Sequence, residues 1–343
     1  MTIDQIFLRL MQATNSVTRN PLLHYFDLDD LKLIEEKSSE DKFIDEKRRK
    51  IKALVEDLAI DFNPKLKSAF DEYIEAMVYL KLKEKFISVN RIPEGPDKSP
   101  DFKIEFELRE RDLAENCIVY AELKSLSYAS NNVNYLDTMQ QGLDAAISLE
   151  KQINEGKKVA FAITETAPLS NTNRQYDGTS TLYVIETYIE KICQNIKRGQ
   201  FIFGDTILIV NLKQLLYRGD WTEASLPIYQ EQRMKSFVSG TLWNVIFGKA
   251  GHLIFRPIEF EGKENVDGEL TKNGILVDHD FVKAVVFLNY GLGAREPKIV
   301  GFHRSQEASS SILNFLYKFC EFVNDDANTN GWRITQSELT PHS

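Results

Sequence analysis

Three side chains in this sequence could do chemistry together: Asp101, which follows Pro100, and Glu122 and Lys124, which flank Leu123, with 20 residues between the two acids. Two carboxylates offer the hard oxygen donors of a Mg²⁺ site, which is completed by waters and substrate phosphate. A lysine beside them can orient or deprotonate a water, or offset charge on a phosphorane-like transition state. Strand periodicity brings the three within reach. Asp101 to Arg109 (DFKIEFELR) and Cys117 to Lys124 (CIVYAELK) both alternate with period two, and the polar link RERDLAEN makes them a hairpin. On the second strand Glu122 and Lys124 project from one face while Ala121 and Leu123 face the other. Asp101 opens the first strand on its polar side, opposite the face made by Phe102, Ile104, Phe106 and Leu108.

The tripeptide alone carries little, because an acid, any residue and a lysine also begin at Asp30, Glu35, Glu40, Asp45, Asp101, Glu155, Glu261 and Glu296. Context separates Glu122 from these. It ends an apolar strand, a strand opening with Pro-Asp precedes it, and the pair sits between two helices.

The elements that must hold these residues are legible in the same way. Residues 1 to about 62 read as helices with apolar positions such as Ile44, Ile51, Leu54, Val55 and Leu58 near helical spacing. Lys47, Arg48, Arg49 and Lys50 lie among acids there, as on a solvated helix face. Asn63-Pro64 marks a break, and a helix from about Lys65 to Lys85 follows. After Phe86 to Ile92 and the turn RIPEGPDKSP come the two strands. A helix from about Val133 to Glu155, a strand VAFAITE, a polar loop, a helix to about Arg198 and the apolar strand Thr206 to Leu212 complete the alternation. Such an order implies a mixed sheet with helices on its faces, an α/β fold. The expected organisation is a helical N-terminal segment (1–62), a core (63–215) and an α/β C-terminal extension (216–343). That extension closes with an amphipathic helix near Ala308 to Asn324.

Pro100, Asp101, Glu122 and Lys124 match the signature of the PD-(D/E)xK nuclease superfamily, and residues 65 to 212 resemble its restriction-endonuclease-like core. The resemblance implies a Mg²⁺-dependent DNA endonuclease, a phosphodiester hydrolase of restriction or anti-phage defence, with Mn²⁺ as a substitute metal. It makes Asp101 and Glu122 metal ligands, aided by the backbone carbonyl of Leu123, and Lys124 the catalytic lysine. Members often add an acid from the helix before the first strand. Here that helix offers Glu72 and Glu75, and Glu75 is preferred because Val78 and Leu82 share its side; an ordinary exposed acid is the alternative. Gln140, which interrupts the stripe Leu136, Leu143, Ile147, reads either as a supporting glutamine on the helix after the lysine strand or as a buried, satisfied amide. Ser125 is either a hydrogen-bonding neighbour of the lysine or a strand end. Two other readings keep the fold: an RNA or branched-DNA processing nuclease, and a non-catalytic nucleic-acid or protein-binding subunit.

Composition narrows the field. The chain has 343 residues, 42 Lys plus Arg against 51 Asp plus Glu, and a net charge of −9. That acidic total argues against binding nucleic acid by bulk charge, so any such contact must be local. Cys117, Cys193 and Cys320 are odd in number and far apart, which fits no disulfide framework or zinc knuckle. No apolar run is long enough for a membrane span, and the first residues do not read as a signal peptide, so a cytoplasmic protein without membrane attachment is expected. Asp278-His279-Asp280 lacks a spaced partner and reads as a strand-end polar patch rather than a metal site. His24, His252, His303 and His342 form no spaced pair, and there is no phosphate-cradling glycine loop. One such site cuts one strand, so a homodimer or partner subunit is a further expectation. The apolar closing helix (Ile312, Leu313, Phe315, Leu316, Phe319, Phe322, Val323) is the candidate surface for it.

Overall fold

A computed structural model describes residues 1–13, 21–56, 64–93, 99–110, 113–126, 134–162, 181–214, 221–231, 236–256, 266–290 and 296–328. The chain divides into two compact units, one of residues 1–80 and 127–176 and one of residues 81–126 and 177–343.

The first unit is helical. It holds α1 (Ile3–Ala13), α2 (Leu28–Lys37), α3 (Lys42–Val55), most of α4 (Pro64–Lys85) and α5 (Asn134–Asn154). Aspartates start two of these helices: Asp27 accepts from the backbone N–H groups of Asp29 and Asp30, and Asp41 from those of Phe43 and Ile44. Apolar residues at helical spacing, Leu31, Ile34, Ile44, Ile51, Phe70 and Tyr73, are buried. The basic cluster departs from the expected solvated face, because Lys47 is only 2% exposed. Its ammonium lies 2.7 Å from Glu72 and 2.6 Å from Glu75, a pairing that lets a charge tolerate burial. The expected strand VAFAITE does not form over its described part, 159–162. There the Gln152 side-chain amide donates to the Phe161 carbonyl at 2.9 Å and accepts from the Phe161 N–H at 3.3 Å, occupying the backbone groups that a sheet neighbour would need. The remainder of that segment lies outside the described residues.

The second unit is built on a seven-stranded mixed sheet. In chain order the strands of the whole chain are β1 (Ser88–Arg91), β2 (Phe102–Glu110), β3 (Leu113–Ser125), β4 (Thr206–Asn211), β5 (Ile228–Glu231), β6 (Ser236–Ser239), β7 (Leu253–Phe255), β8 (Val266–Glu269), β9 (Ala284–Asn289), β10 (Lys298–His303) and β11 (Phe322–Asp325). The sheet order is β1-β2-β3-β4-β9-β10-β11, while β5 with β6 and β7 with β8 form two small hairpins. β1, β2 and β3 are an antiparallel meander; β4 runs parallel to β3 and β9 parallel to β4. The expected hairpin is therefore present but tighter than its sequence suggests. Most of the link RERDLAEN is strand, paired as far as Glu110 with Leu113. The strands of the C-terminal extension join this same sheet, since β9 pairs with β4. Both are apolar runs buried at every position, as a strand covered on two faces must be.

Helices α6 (Thr181–Asn195), α7 (Trp221–Ala224), α8 (Thr241–Phe247), α9 (Ile275–Asp278) and α10 (Ser310–Phe319) complete the unit. The closing helix is shorter than expected: it stops at Phe319, and Phe322 and Val323 belong to β11. Its Ile312, Phe315, Leu316 and Phe319 are buried in the unit's own core, with Phe315 stacked on Phe86 at 4.9 Å. The apolar breadth read as a dimer surface is thus spent within the chain. Among the described residues no helix is long and apolar enough to cross a membrane.

Candidate active site

Alternation across β2 and β3 sets the two faces of the site. Phe102, Ile104, Phe106, Cys117, Val119 and Ala121 are buried on one face. Phe102 pairs with Ala121, and the Asp101 N–H donates to the Ala121 carbonyl at 2.9 Å. That register sets Asp101 beside Glu122 on the other face. Lys124, two residues on, shares it: its Nζ is 2.5 Å from Glu122 Oε1. The structure therefore brings Asp101, Glu122 and Lys124 together as strand periodicity requires.

Each acid is held differently. Asp101 Oδ2 accepts from the Leu123 N–H at 2.8 Å, and Oδ1 accepts from Arg91 Nη1 at 2.8 Å. Arg91 closes β1, and the same Nη1 reaches the Asp101 carbonyl at 3.0 Å. Glu122 is 2% exposed. Its Oε1 accepts from Lys124 and from the Gln200 side-chain amide, while Oε2 is buried and has no hydrogen-bond partner. Gln200 is itself fixed, because its Oε1 accepts the Lys197 N–H at 2.9 Å in the short turn Arg198–Phe201 that leads into β4. Burial first, then the neighbouring Asp101 charge, push the Glu122 carboxyl up to about 7, against the pull of Lys124 and Arg91.

Arg91 and Gln200 were missed by sequence reasoning. Arg91 sits at the edge of a turn without periodicity, and Gln200 lies 78 residues from Glu122. The one available signal for Gln200 is its place just before an apolar strand that neighbours the lysine strand.

Glu75 and Glu72 lie in the helical unit and are committed to Lys47, with Lys50 3.9 Å from Glu72. Ser125 Oγ, at the end of β3, accepts from Asn211 Nδ2 at 3.3 Å, so it bridges β3 and β4. Gln140 falls within α5, but its side chain lies outside the described residues. Asp278 ends α9 and accepts from Asn273, while His279 Nε2 lies 3.2 Å from Cys193 Sγ; neither is part of a metal cluster. Among the described residues no group of three or more His, Cys, Asp or Glu is placed to hold a metal. The site thus offers two carboxylates and the Leu123 backbone. That set suits Mg²⁺ or Mn²⁺, which keep several waters, rather than a cage-bound ion. An ionisable oxygen buried without a partner beside a second acid is the electrostatic deficit a divalent cation would fill.

No protein-family model, curated protein or solved structure matches this chain.

Proposed function

We propose that this chain is a metal-dependent phosphodiester hydrolase of the PD-(D/E)xK type, a DNA endonuclease acting in restriction or phage defence. The observation that carries the reading is the convergence of Asp101, Glu122 and Lys124 on one sheet face, with Glu122 Oε2 buried and unpartnered. The meander β1-β2-β3 followed by a β4 parallel to β3 supports a restriction-endonuclease-like core.

Asp101 and Glu122, with the Leu123 carbonyl, would hold the cation. When bound, it supplies Lewis-acid polarisation of the scissile phosphate and a lower pKa for a coordinated water. Lys124 stands at the edge of the site, where it would orient the attacking water or offset charge growing on a phosphate oxygen. Gln200 fixes the Glu122 carboxylate so that Oε1 is spent and Oε2 is left for the site. Arg91 steadies Asp101 through one oxygen.

Incubating the purified chain with plasmid, with a branched DNA and with RNA, each in Mg²⁺ and in EDTA, tests the reading. Cleavage of plasmid in Mg²⁺ alone, leaving 5′-phosphate and 3′-hydroxyl ends, is expected. Cutting confined to RNA or to the junction would reassign the substrate, and no cutting of any of them would leave a binding subunit with a nuclease-like fold. Undiminished cleavage in EDTA would end the metal-dependent reading.

A further inference from the structure

Apolar side chains border the carboxylates on the open side of the sheet. Lys103 of β2 pairs with Tyr120 of β3, and Glu105 with Ile118. Tyr120 and Ile118 therefore lie back along β3 from Glu122 on its own face, at two-residue steps of about 7 Å each. The turn that brings Gln200 to Glu122 continues onto Tyr120. Phe203 sits 6.2 Å from the Tyr120 ring, centroid to centroid, with the planes 54° apart. The Tyr120 N–H donates to the Asp205 carbonyl at 2.8 Å. Between them Gly204, at φ +137°, passes so close that a Cβ there would come within 3.3 Å of the tyrosine ring. One turn thus fixes both the Glu122 carboxylate and the aromatic pair beside it.

This border is open to solvent. Phe203 is 44% exposed, Ile202 73% and Ile118 42%. A single exposed apolar side chain needs no explanation, but a run of them continuous with a candidate active site marks a surface that meets something. The charges around it favour a polyanion. Lys197 and Arg198 open the turn and are exposed, and Lys124 stands on the same face. The nearest acids are engaged: Glu105 takes Lys103 at 2.5 Å and the Ser88 hydroxyl at 3.1 Å, and Asp205 takes the Ser309 hydroxyl. Glu107, exposed, lies one step beyond Glu105.

We propose that Phe203 and Tyr120 stack an unpaired base of the strand whose phosphate lies at Asp101 and Glu122. The substrate is then single-stranded DNA, or a duplex with an unpaired nucleotide at the cut. This rests on the nuclease reading and narrows its substrate. In a paired duplex each base face is covered by its neighbours, so only an unpaired base offers its π-face to a side chain. Every base has such a face, so the contact places the strand without reading its sequence. It also supplies a local hold on nucleic acid to a chain whose net charge of −9 gives no general attraction. Cutting of a supercoiled plasmid falls, on this account, at its transiently unpaired segments.

Fluorescence anisotropy of the full chain in Ca²⁺ tests this with three labelled probes of equal length. They are an oligothymidylate, its abasic counterpart, which keeps the phosphates and lacks the bases, and a relaxed duplex. Wild type should bind the oligothymidylate at least about tenfold more tightly than either other probe. Phe203→Ala, a change at an exposed position, should erase that preference, and Phe203→Tyr, which keeps a ring, should retain it. Equal affinity of wild type for the oligothymidylate and the abasic probe, or a preference that survives in Phe203→Ala, would overturn the proposal. Binding to none of the probes would overturn it too and assign the exposed rings to a protein partner. A base preference that depends on Phe203 in a chain that cuts nothing in Mg²⁺ would support the stacking and remove the nuclease reading alone. Cleavage without any base preference would remove the stacking alone.

Discussion

Replacing Glu122 by glutamine should make the chain more stable at pH 8 and leave it unchanged at pH 4. The carboxyl is 2% exposed and its pKa rises from an ordinary 4.5 to about 7. The difference of about 2.5 pH units, at about 1.4 kcal/mol each, is roughly 3 kcal/mol. For an acid raised in this direction the cost is absent below pH 4.5, where folded and unfolded chains both hold the proton. Between pH 4.5 and 7 the unfolded chain ionises first, so stability falls, and above about 7 the full cost is present. Glu122→Gln keeps the side chain's size and an oxygen for Gln200, and removes the buried charge. Thermal melting from pH 4 to pH 8 should show the variant's advantage growing to several degrees, at roughly 2–4 °C per kcal/mol for a domain of 150–250 residues. Mg²⁺ should raise the melting temperature of wild type at pH 8 and not that of the variant. A variant that melts at or below wild type at pH 8, or whose difference is the same at both ends of the range, would refute the electrostatic account.

Three further outcomes follow from particular contacts. Gln200→Leu removes the amide that fixes Glu122, so Mn²⁺ affinity measured by titration should fall by about tenfold or more; an unchanged isotherm would deny Gln200 a positioning role. Lys47→Met removes the buried ammonium shared by Glu72 and Glu75 in the helical unit and should cost about 2–4 kcal/mol in urea unfolding followed by circular dichroism, with an unshifted midpoint counting against the buried pairing. Gly240→Ala would set a Cβ 1.6 Å from the Leu226 carbonyl oxygen at the start of α8, a backbone clash that cannot relax by rotation. A loss of about 3 kcal/mol is expected, and wild-type melting would show that this close approach is not as described.

What the sequence made legible was local. Period-two alternation placed Glu122 and Lys124 on one face and set Asp101 on the matching side of its partner strand, and the contacts follow that reading. Long-range partners left no such mark. Nothing in AVVFLN says that it lies beside Thr206–Asn211 rather than in a separate extension, because a strand buried on both faces has no alternation to set its register. Gln200 reaches Glu122 through a turn whose sequence, RGQF, is unremarkable in isolation. Over-extension of the closing helix came from reading Phe322 and Val323 as one more apolar turn, where Cys320 already has extended dihedrals and β11 pairs with β10. In VAFAITE the apolar composition suggested a strand, but the Gln152 side chain binds the Phe161 backbone instead.

The central claim is that Lys124 acts on a phosphodiester beside a metal held by Asp101 and Glu122. Single-turnover cleavage of end-labelled DNA by wild type and Lys124→Ala, in Mg²⁺ and with DNA binding measured in Ca²⁺ on the same preparations, tests it most directly. The account predicts a rate lower by at least about a hundredfold in the variant, with binding nearly intact, because the lysine contributes proton and charge management rather than packing. Equal cleavage rates for the two proteins would contradict it.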